Sequence, residues 1–360
     1  MGRNTAIAVD VNGSAAVAAL TRPLVDSQRR LIDYLRVSVT DRCNYRCTYC
    51  LPEEGVSHAT REDILSFEEI ARLVACFTRL GVRRVRLTGG EPTVRRELPR
   101  LVELLREIAG IEEIALSTNG HLLSEMAASL RHAGVDRLNV SVDTLDPDAF
   151  KRITRGGDLA RVLAGIDAAR AAGYAGIKLN TVAVRGFNDA ELAAICAYAW
   201  ERDLVPRFIE QMPMANGALF VPGTLMSAAE IRATISSAFP DARVIAEPSS
   251  RAAGAGPARY WRVEGIAGLG RVERARFGVI SAMTEHFCDT CNRVRLSASG
   301  ALHTCLAHDD ATDLRAVLRQ SGDDAVVDTI RAAVAGKRDG HTFGLLGIGG
   351  PRKAMIQIGG

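Results

Sequence analysis

The feature that most constrains the fold of this chain is an alternation of short apolar strands with helical patterns between Leu35 and Glu210. Six segments read as strands, and they are 35–39, 85–88, 113–118, 137–142, 177–182 and 206–210. Strands that alternate with helices form parallel sheets with the helices outside. Six such units are too few for a closed eight-stranded barrel. The chain is therefore predicted to be of the α/β class, with a partial (β/α)6 TIM-like barrel.

The helices between these strands carry recognisable start signals. Ser66 followed three residues later by Glu69 is the pattern of a capping box, and apolar residues then recur at helical spacing. Asp189 is expected to cap a helix that ends near Glu201. Further helices are predicted over 97–108, 123–133 and 159–172.

The alternation ends at about residue 213. Short strands are expected at 260–263 and 279–282, a helix at 323–335, and a flexible loop at 250–258. We divide the chain into a loose N-terminal extension (1–25), the barrel (26–212), a smaller C-terminal domain that closes the open side (213–345) and a flexible Gly-rich tail (346–360).

Bulk composition excludes several classes of protein. A formal net charge of +3 lacks the basic excess of a general nucleic-acid binder. The sequence has no run of about 20 apolar residues, so no membrane span is expected. The N-terminus lacks the continuous apolar core of a signal peptide. Six of the eight cysteines fall in two groups, which indicates metal ligands in a reducing cytoplasm rather than disulfides.

The first cysteine group is Cys43, Cys47 and Cys50, at the spacing Cys-x3-Cys-x2-Cys. Thiolate is a soft ligand that suits iron–sulfur clusters, zinc and copper(I). A structural zinc ion takes four protein ligands, so three thiols alone would leave one metal position open for chemistry. Zinc with a distant fourth ligand and three buried structural cysteines remain open alternatives.

The second group is Cys288, Cys291 and Cys305, again three thiols rather than four. Histidines nearby keep a mixed Cys–His zinc site open as an alternative, and they are His286, His303 and His308. The two other cysteines lie in helical patterns and are expected to be small core residues, and they are Cys76 and Cys196.

A basic strand follows the second group. In an extended strand Arg293 and Arg295 share one face, so two guanidinium groups would project together beside the thiols. This arrangement suits a polyanion, and the alternative is a solvated surface strand. Arg36, Arg86 and Lys178 could add to the positive charge.

The first cysteine group, together with Tyr49 just before its last member, resembles the signature of the radical S-adenosylmethionine (SAM) enzymes. The resemblance implies that the three thiolates hold a 4Fe–4S cluster whose free iron binds SAM. An electron from the cluster then cleaves a carbon–sulfur bond of SAM and yields a 5′-deoxyadenosyl radical.

Longer motifs are similar to those of the GTP 3′,8-cyclase family of molybdenum-cofactor biosynthesis. They span residues 35–43, 88–92 (Thr-Gly-Gly-Glu-Pro) and 285–293, together with the final Gly359-Gly360. The resemblance implies a second 4Fe–4S cluster whose open iron faces the guanine of GTP. It also implies conversion of GTP to (8S)-3′,8-cyclo-7,8-dihydroguanosine 5′-triphosphate. The adenosyl radical would take a hydrogen atom from ribose C3′, C3′ would bond to guanine C8, and the resulting aminyl-type radical would be reduced with uptake of a proton.

The same resemblance implies a role for each matching residue. The first cluster would be bound by Cys43, Cys47 and Cys50, and the second by Cys288, Cys291 and Cys305. SAM would contact Tyr49, Gly90, Ser141 and Met212. GTP would contact Arg36, Arg86, Ser117, Lys178 and the run Arg293-Val294-Arg295, of which Arg293 and Arg295 would be catalytic. Position 117 is Ser where the family often has Thr, and the hydroxyl is kept. Gly89 and Gly90 are expected to let backbone approach SAM closely.

The resemblance also implies partners. These are GTP, an external electron donor of the flavodoxin or ferredoxin type, and cyclic pyranopterin monophosphate synthase, which would take the product. A homodimer is possible, and the double-glycine tail is expected to enter the active site. The rival interpretations are a peptide-modifying radical SAM enzyme with an auxiliary cluster and a non-catalytic, zinc-stapled binding protein.

Overall fold

The computed structural model describes residues 23–248, 256–266 and 275–359. Most of the predicted N-terminal extension and of the predicted loop at 250–258 lies outside these residues, as does Gly360.

A mixed sheet of twelve strands organises the described residues. Its strands are β1 (Tyr34–Ser38), β2 (Arg84–Thr88), β3 (Glu113–Thr118), β4 (Arg137–Ser141), β5 (Lys178–Ala183), β6 (Val205–Glu210), β7 (Arg243–Ala246), β8 (Arg259–Glu264), β9 (Arg276–Ile280), β10 (Arg293–Leu296), β11 (Ala301–His303) and β12 (Thr312–Asp313). The spatial order is β12-β11-β10-β1-β2-β3-β4-β5-β6-β9-β8-β7. The six predicted barrel strands are therefore confirmed as β1 to β6, each within two residues at either end.

The strands of the C-terminal half extend the barrel at both edges. β10 pairs in parallel with β1, and β9 pairs in parallel with β6. Both strands run in the same direction as the strands between them. The chain therefore leaves β9 at the carboxyl ends of the barrel strands and enters β10 at their amino ends. The connection 281–292, which contains Cys288 and Cys291, thus crosses from one edge of the barrel to the other.

The helices are α1 (Phe67–Thr78), α2 (Leu98–Arg106), α3 (Leu123–Ala133), α4 (Pro147–Thr154), α5 (Leu159–Ala171), α6 (Leu192–Glu201), α7 (Ala228–Ala238) and α8 (Leu314–Ala335). The capping box at Ser66 and Glu69 is confirmed, since each residue's side chain accepts from the other's backbone N–H. The predicted cap at Asp189 is wrong, because this residue lies in a 3-10 turn (Asp189–Glu191) and its carboxylate accepts from Gly186. The predicted helix 323–335 is the second half of α8, which is interrupted at Gly322 with φ +82°.

Apolar side chains of the strands and helices form the core. One cluster joins the outward faces of β1 to β5 with α1 to α5, and it includes Val294 and Leu296 of β10 together with Leu318 and Ile330 of α8. A second cluster lies around β6, β9, α6 and α7. The C-terminal half therefore shares its core with the barrel.

Candidate active site

Alternate residues of the parallel strands line the barrel interior, and the register brings cationic side chains side by side. Arg36 of β1 lies opposite Arg86 of β2 on one side and Arg295 of β10 on the other. Further along the sheet, Asn180 of β5 lies opposite Arg207 of β6. Residues two apart on a strand share a face, so one inward row carries several positive charges.

Burial and mutual repulsion act on these cations. Burial, followed by the charges of Arg295 and Arg86, holds the pKa of Arg36 well below its ordinary value. Burial also lowers the pKa of Arg295 to about 10, and burial with Arg207 and Arg86 lowers that of Lys178 to about 7. A buried guanidinium nitrogen, Nε of Arg36, has no hydrogen-bond partner among the described residues. Such a row is electrostatically costly without an anion.

Two of the predicted GTP-contacting residues are joined directly. Arg86 donates from Nη1 to the hydroxyl of Ser117 at 3.3 Å and from Nε to the hydroxyl of Tyr34. Val294 differs from its neighbours, because its side chain is in the core and points away from the face that Arg293 and Arg295 share. Only the backbone of Val294 is available to the interior.

Sequence reasoning missed Arg207, which is 4% exposed and donates to the amide oxygen of Asn180 at 2.7 Å and 3.0 Å. The signal was present, because period-two alternation within 205–210 puts Arg207 on the face opposite Phe208. Arg207, Tyr34 and Asn180 were all missed because a polar residue in a strand indicates a function only once the inward face of the barrel is known.

The first cysteine loop lies at the carboxyl ends of the strands, and α4 supports it. The backbone N–H groups of Arg46 and Thr48 donate to the carbonyls of Thr154 and Ile153 at 3.0 Å and 2.9 Å. The side chain of Arg46 donates a hydrogen bond from Nη1 to the carbonyl oxygen of Cys43 at 2.9 Å. The helix that supports the loop is one that sequence reasoning missed, although Asp146 before Pro147 is an N-cap signal.

Gly89 and Gly90 have a structural reason of their own. A Cβ atom at Gly90 would lie 2.3 Å from the Arg42 carbonyl oxygen, and one at Gly89 would lie 2.3 Å from that of Thr40. The glycines let β2's end pack against the segment that leads into Cys43. The predicted reason, close approach to SAM, is therefore not needed to explain them.

Two buried carboxyl groups organise the same end of the barrel. Glu91 accepts from the Thr118 hydroxyl at 2.7 Å and from the Asn119 N–H at 2.6 Å, and burial raises its pKa. Asp143 accepts from the Tyr49 hydroxyl at 2.7 Å, and burial raises its pKa to about 6. Since Tyr49 lies between Cys47 and Cys50, this bond holds the cysteine loop to the residue that follows β4 by two positions. Ser141 ends β4 and Met212 follows β6, so both lie at this end of the sheet.

The three thiols of the first group lie in one loop, and each is partly buried. Burial raises the pKa of Cys43 to about 11 and that of Cys50 to about 12, and it also raises that of Cys47. The charges of Cys50 and Cys43 add to the pKa shift of Cys47, and the charge of Cys43 adds to that of Cys50. Protonated thiols do not bind metal, and a bound metal deprotonates them, so this donor set fits a cationic iron–sulfur core.

In the second group, burial raises the pKa of Cys288, whereas the pKa of Cys291 is lowered. Cys288 lies in a 3-10 turn (Cys288–Thr290), and Cys291 directly follows it. Burial alone would raise the pKa of Cys291, but Arg293, Lys337, the Arg293 N–H and Arg30 together lower it to about 7. Here protein cations, rather than a bound core alone, favour thiolate.

Two of the three histidines near the second group are engaged by backbone carbonyls. His286 and His308 each have a ring nitrogen on a backbone carbonyl, those of Ala282 and Gly340, both at 3.0 Å. His303 is fully buried, and burial lowers its pKa to about 4. Among the described residues, no three His, Cys, Asp or Glu side chains are arranged around a single metal ion.

The two cysteine groups lie at opposite ends of β1. Cys43 follows its carboxyl end, whereas Cys291 lies just before Arg293, which pairs with the first residue of β1, Tyr34. A five-residue strand rises about 3.3 Å per residue, so roughly 15 Å of cationic interior separates the groups. Arg295 lies between them and donates to the carbonyl of Gly359 at 3.2 Å, which brings the C-terminal tail into the barrel.

Comparisons with known proteins identify the family of this chain. The chain matches the family model "Radical SAM superfamily" over residues 37–199 and "Molybdenum Cofactor Synthesis C" over residues 205–343. Its relatives include the GTP 3′,8-cyclases of Hydrogenovibrio crunogenus and Pelotomaculum thermopropionicum, which are 41% and 45% identical. The alignments cover 94% and 93% of this chain and 99% of each relative.

Among solved structures, Streptococcus suis SuiB bound to the precursor peptide SuiA is similar in fold. It superposes with a TM-score of 0.58 at 14% identity, over 89% of this chain and 72% of SuiB. At this identity the likeness concerns the fold alone. No helix in the described residues is long and apolar enough to cross a membrane.

Proposed function

The chain belongs to the GTP 3′,8-cyclase family of radical SAM enzymes, and from this premise we propose how its residues divide the work. Enzymes of this family act on GTP in the first step of molybdenum cofactor biosynthesis, and a 4Fe–4S cluster and SAM are their cofactors. The observation that carries the proposal is a cationic barrel interior with a three-cysteine group at each end.

The first group, Cys43, Cys47 and Cys50, would hold the cluster that binds SAM. The bound cluster and SAM would together supply a radical that abstracts hydrogen, through one-electron cleavage of SAM. No side chain provides this chemistry. Tyr49, held by Asp143, would fix the loop beside SAM. Two further residues at the same end of the sheet would contact SAM, and they are Ser141 and Met212. Gly90 would offer backbone.

The cationic interior would bind the triphosphate of GTP. Its proposed contacts are Arg36, Arg86, Ser117, Lys178, Arg293 and Arg295, with Val294 contributing backbone, and we add Arg207. Hydrogen bonds to charged groups contribute about 1.5–3 kcal/mol each, and micromolar affinity needs about 8 kcal/mol. Four or five such contacts therefore suffice. The anion would also relieve the repulsion that, after burial, lowers the pKa of Arg36, Lys178 and Arg295.

The second group, Cys288, Cys291 and Cys305, would hold a second 4Fe–4S cluster with one iron open to the guanine. Held at both ends, GTP would present its ribose toward SAM at the carboxyl end of the barrel. Arg293 and Arg295 would touch the substrate and keep it oriented while C3′ bonds to C8. The tail at Gly359 would orient Arg295 and exclude water.

Incubation of reduced, oxygen-free protein with SAM and GTP tests this function. We expect 5′-deoxyadenosine and (8S)-3′,8-cyclo-7,8-dihydroguanosine 5′-triphosphate, detected by mass spectrometry. A second candidate, peptide modification, has only the fold likeness to SuiB in its favour. The proposal is wrong if a peptide, but not GTP, is turned over.

Several partners complete the proposal. The reaction needs an external electron donor, for which a flavodoxin or ferredoxin is suited. Cyclic pyranopterin monophosphate synthase would take the product. A homodimer and a cytoplasmic location also belong to the proposal, the latter because all eight cysteines are free thiols in the structure. The domain boundaries at 25, 212 and 345 remain predictions.

A further inference from the structure

Lys337 is a buried cation next to the second cysteine group. It follows the end of α8 by two residues and is 3% exposed. Its ammonium donates to the carbonyl of Arg293 at 3.3 Å and to the carbonyl of Thr304. Thr304 directly precedes Cys305, and Arg293 lies two residues after Cys291. One side chain thus fixes the backbone beside two of the three thiols.

The positive charge of Lys337 is not balanced by its hydrogen-bond partners. Both are neutral carbonyl oxygens, and removing a charge from water without a counter-charge is costly. A nearby anion must therefore offset the cost. The thiols of the second group are placed for this role, since Lys337 is hydrogen-bonded to the residue directly before Cys305 and to the residue two positions after Cys291.

Arg30 is a second buried cation at this site, but its charge is already balanced. Nε of Arg30 is 2.6 Å from the carboxylate of Asp26, and its other nitrogens donate to the carbonyls of Cys288 and Asp339 at 2.8 Å and 2.9 Å. Arg30 therefore joins the N-terminal turn, the second cysteine group and the segment that follows α8. Lys337, in contrast, has no ion-pair partner among the described residues.

We propose that Lys337 is a positioning residue of the second cysteine group, which holds its loops and supplies the charge that stabilises its thiolates and their cluster. This inference rests on the proposed function, because it takes a 4Fe–4S cluster as the occupant. Net charge and nearby hydrogen bonds set the reduction potential of such clusters. The reduced cluster is the more negative form, so loss of the cation lowers the potential.

The test is an anaerobic redox titration followed by electron paramagnetic resonance. It uses full-length chain with Cys43, Cys47 and Cys50 replaced by Ala, so that only the second site carries a cluster. The variants compared in this background are Lys337→Met, which removes the charge, and Lys337→Arg, which keeps it. Arg338→Gln is the control, because the side chain of Arg338 is exposed and paired with Asp310.

For Lys337→Met we expect the ratio of reduced to oxidised cluster at a fixed potential to fall at least tenfold, which is 59 mV for one electron. Lys337→Arg is expected to stay within threefold of the parent, and Arg338→Gln to match it. An unchanged midpoint in Lys337→Met with full iron content overturns the inference.

If Lys337→Met retains too little iron for titration, the same substitution is made in the chain with all its cysteines, and the iron at each site is measured. Iron loss confined to the second site, with the SAM-dependent spectrum of the first site kept and Lys337→Arg normal, supports the inference. Equal loss at both sites shows a merely structural role and overturns it. A second site without iron in the parent chain would instead refute the proposed function itself.

Discussion

The guanidinium of Arg295 donates a hydrogen bond to the backbone carbonyl of Gly359, the last described residue, at 3.2 Å. A residue in the middle of the cationic row is thus oriented by the end of the chain. Since Arg295 lies on β10 directly opposite Arg36, the contact reaches the proposed substrate site.

Removal of Gly359 and Gly360 should slow the conversion of GTP by about 10- to 100-fold. The loss of one charge-assisted hydrogen bond corresponds to about 1.5–3 kcal/mol, and each 1.36 kcal/mol is a factor of ten in rate. SAM cleavage without GTP should persist, since the first cysteine group is at the other end of β1. Leu346→Ser, in an exposed part of the same tail, is the control. Full activity of the truncated chain would refute this role.

The affinity for GTP should fall as pH rises above 7. Burial, with Arg207 and Arg86, lowers the pKa of Lys178 to about 7, so the free protein loses this charge between about pH 6 and 8. The triphosphate favours the protonated form, and binding must then take up a proton. Calorimetry in buffers of different ionisation enthalpy should show this uptake at pH 8.

Lys178→Arg should abolish the pH dependence while keeping affinity, because arginine stays charged throughout this range. Lys178→Gln should weaken binding about tenfold or more at pH 7 and show no proton uptake. Proton uptake that persists in Lys178→Gln would assign the titration to another group.

The two cysteine groups should fail in different ways. Cys50→Ala should abolish SAM cleavage, because it removes a ligand of the first cluster. Cys305→Ala should spare part of that cleavage and lose the cyclised product. Chromatography of 5′-deoxyadenosine and product measures both, and equal losses in the two variants would contradict the division between the sites.

Cys76→Ala should leave iron content unchanged. Cys76 is 1% exposed within the core face of α1, and its thiol contacts the carbonyl of Asp323 at 3.6 Å. The expected cost is about 1–2 kcal/mol of unfolding free energy, from a small cavity. Cys196→Ala, in the second core cluster, should behave alike. A drop in iron would mean that the ligands are wrongly assigned.

Local signals predicted the barrel strands well. The capping box at Ser66 and the periodicity of α3 depend on neighbours in sequence, and both are found where expected. Asp189 failed as a cap because its carboxylate closes a turn on Gly186 instead. The helix α4 was missed although Asp146 caps it and Pro147 opens it, because the segment is short.

Long-range relationships were beyond sequence reasoning. Nothing near β9 or β10 indicates that each joins the barrel at an opposite edge, since their partners are distant in sequence. The inward position of Arg207 and the burial of Lys337 depend on that topology. Motif resemblance supplied candidate residues, but only the fold showed which of them share a cavity and that Val294 turns away.

The account depends most on two iron–sulfur clusters, one in each cysteine group. Anaerobic determination of iron and acid-labile sulfide per chain tests this directly, in the unaltered chain and with Cys43, Cys47 and Cys50 replaced by Ala. We expect about eight of each in the unaltered chain and about four of each in the variant. Zinc in place of iron, or no more than four irons in the unaltered chain, would contradict the account.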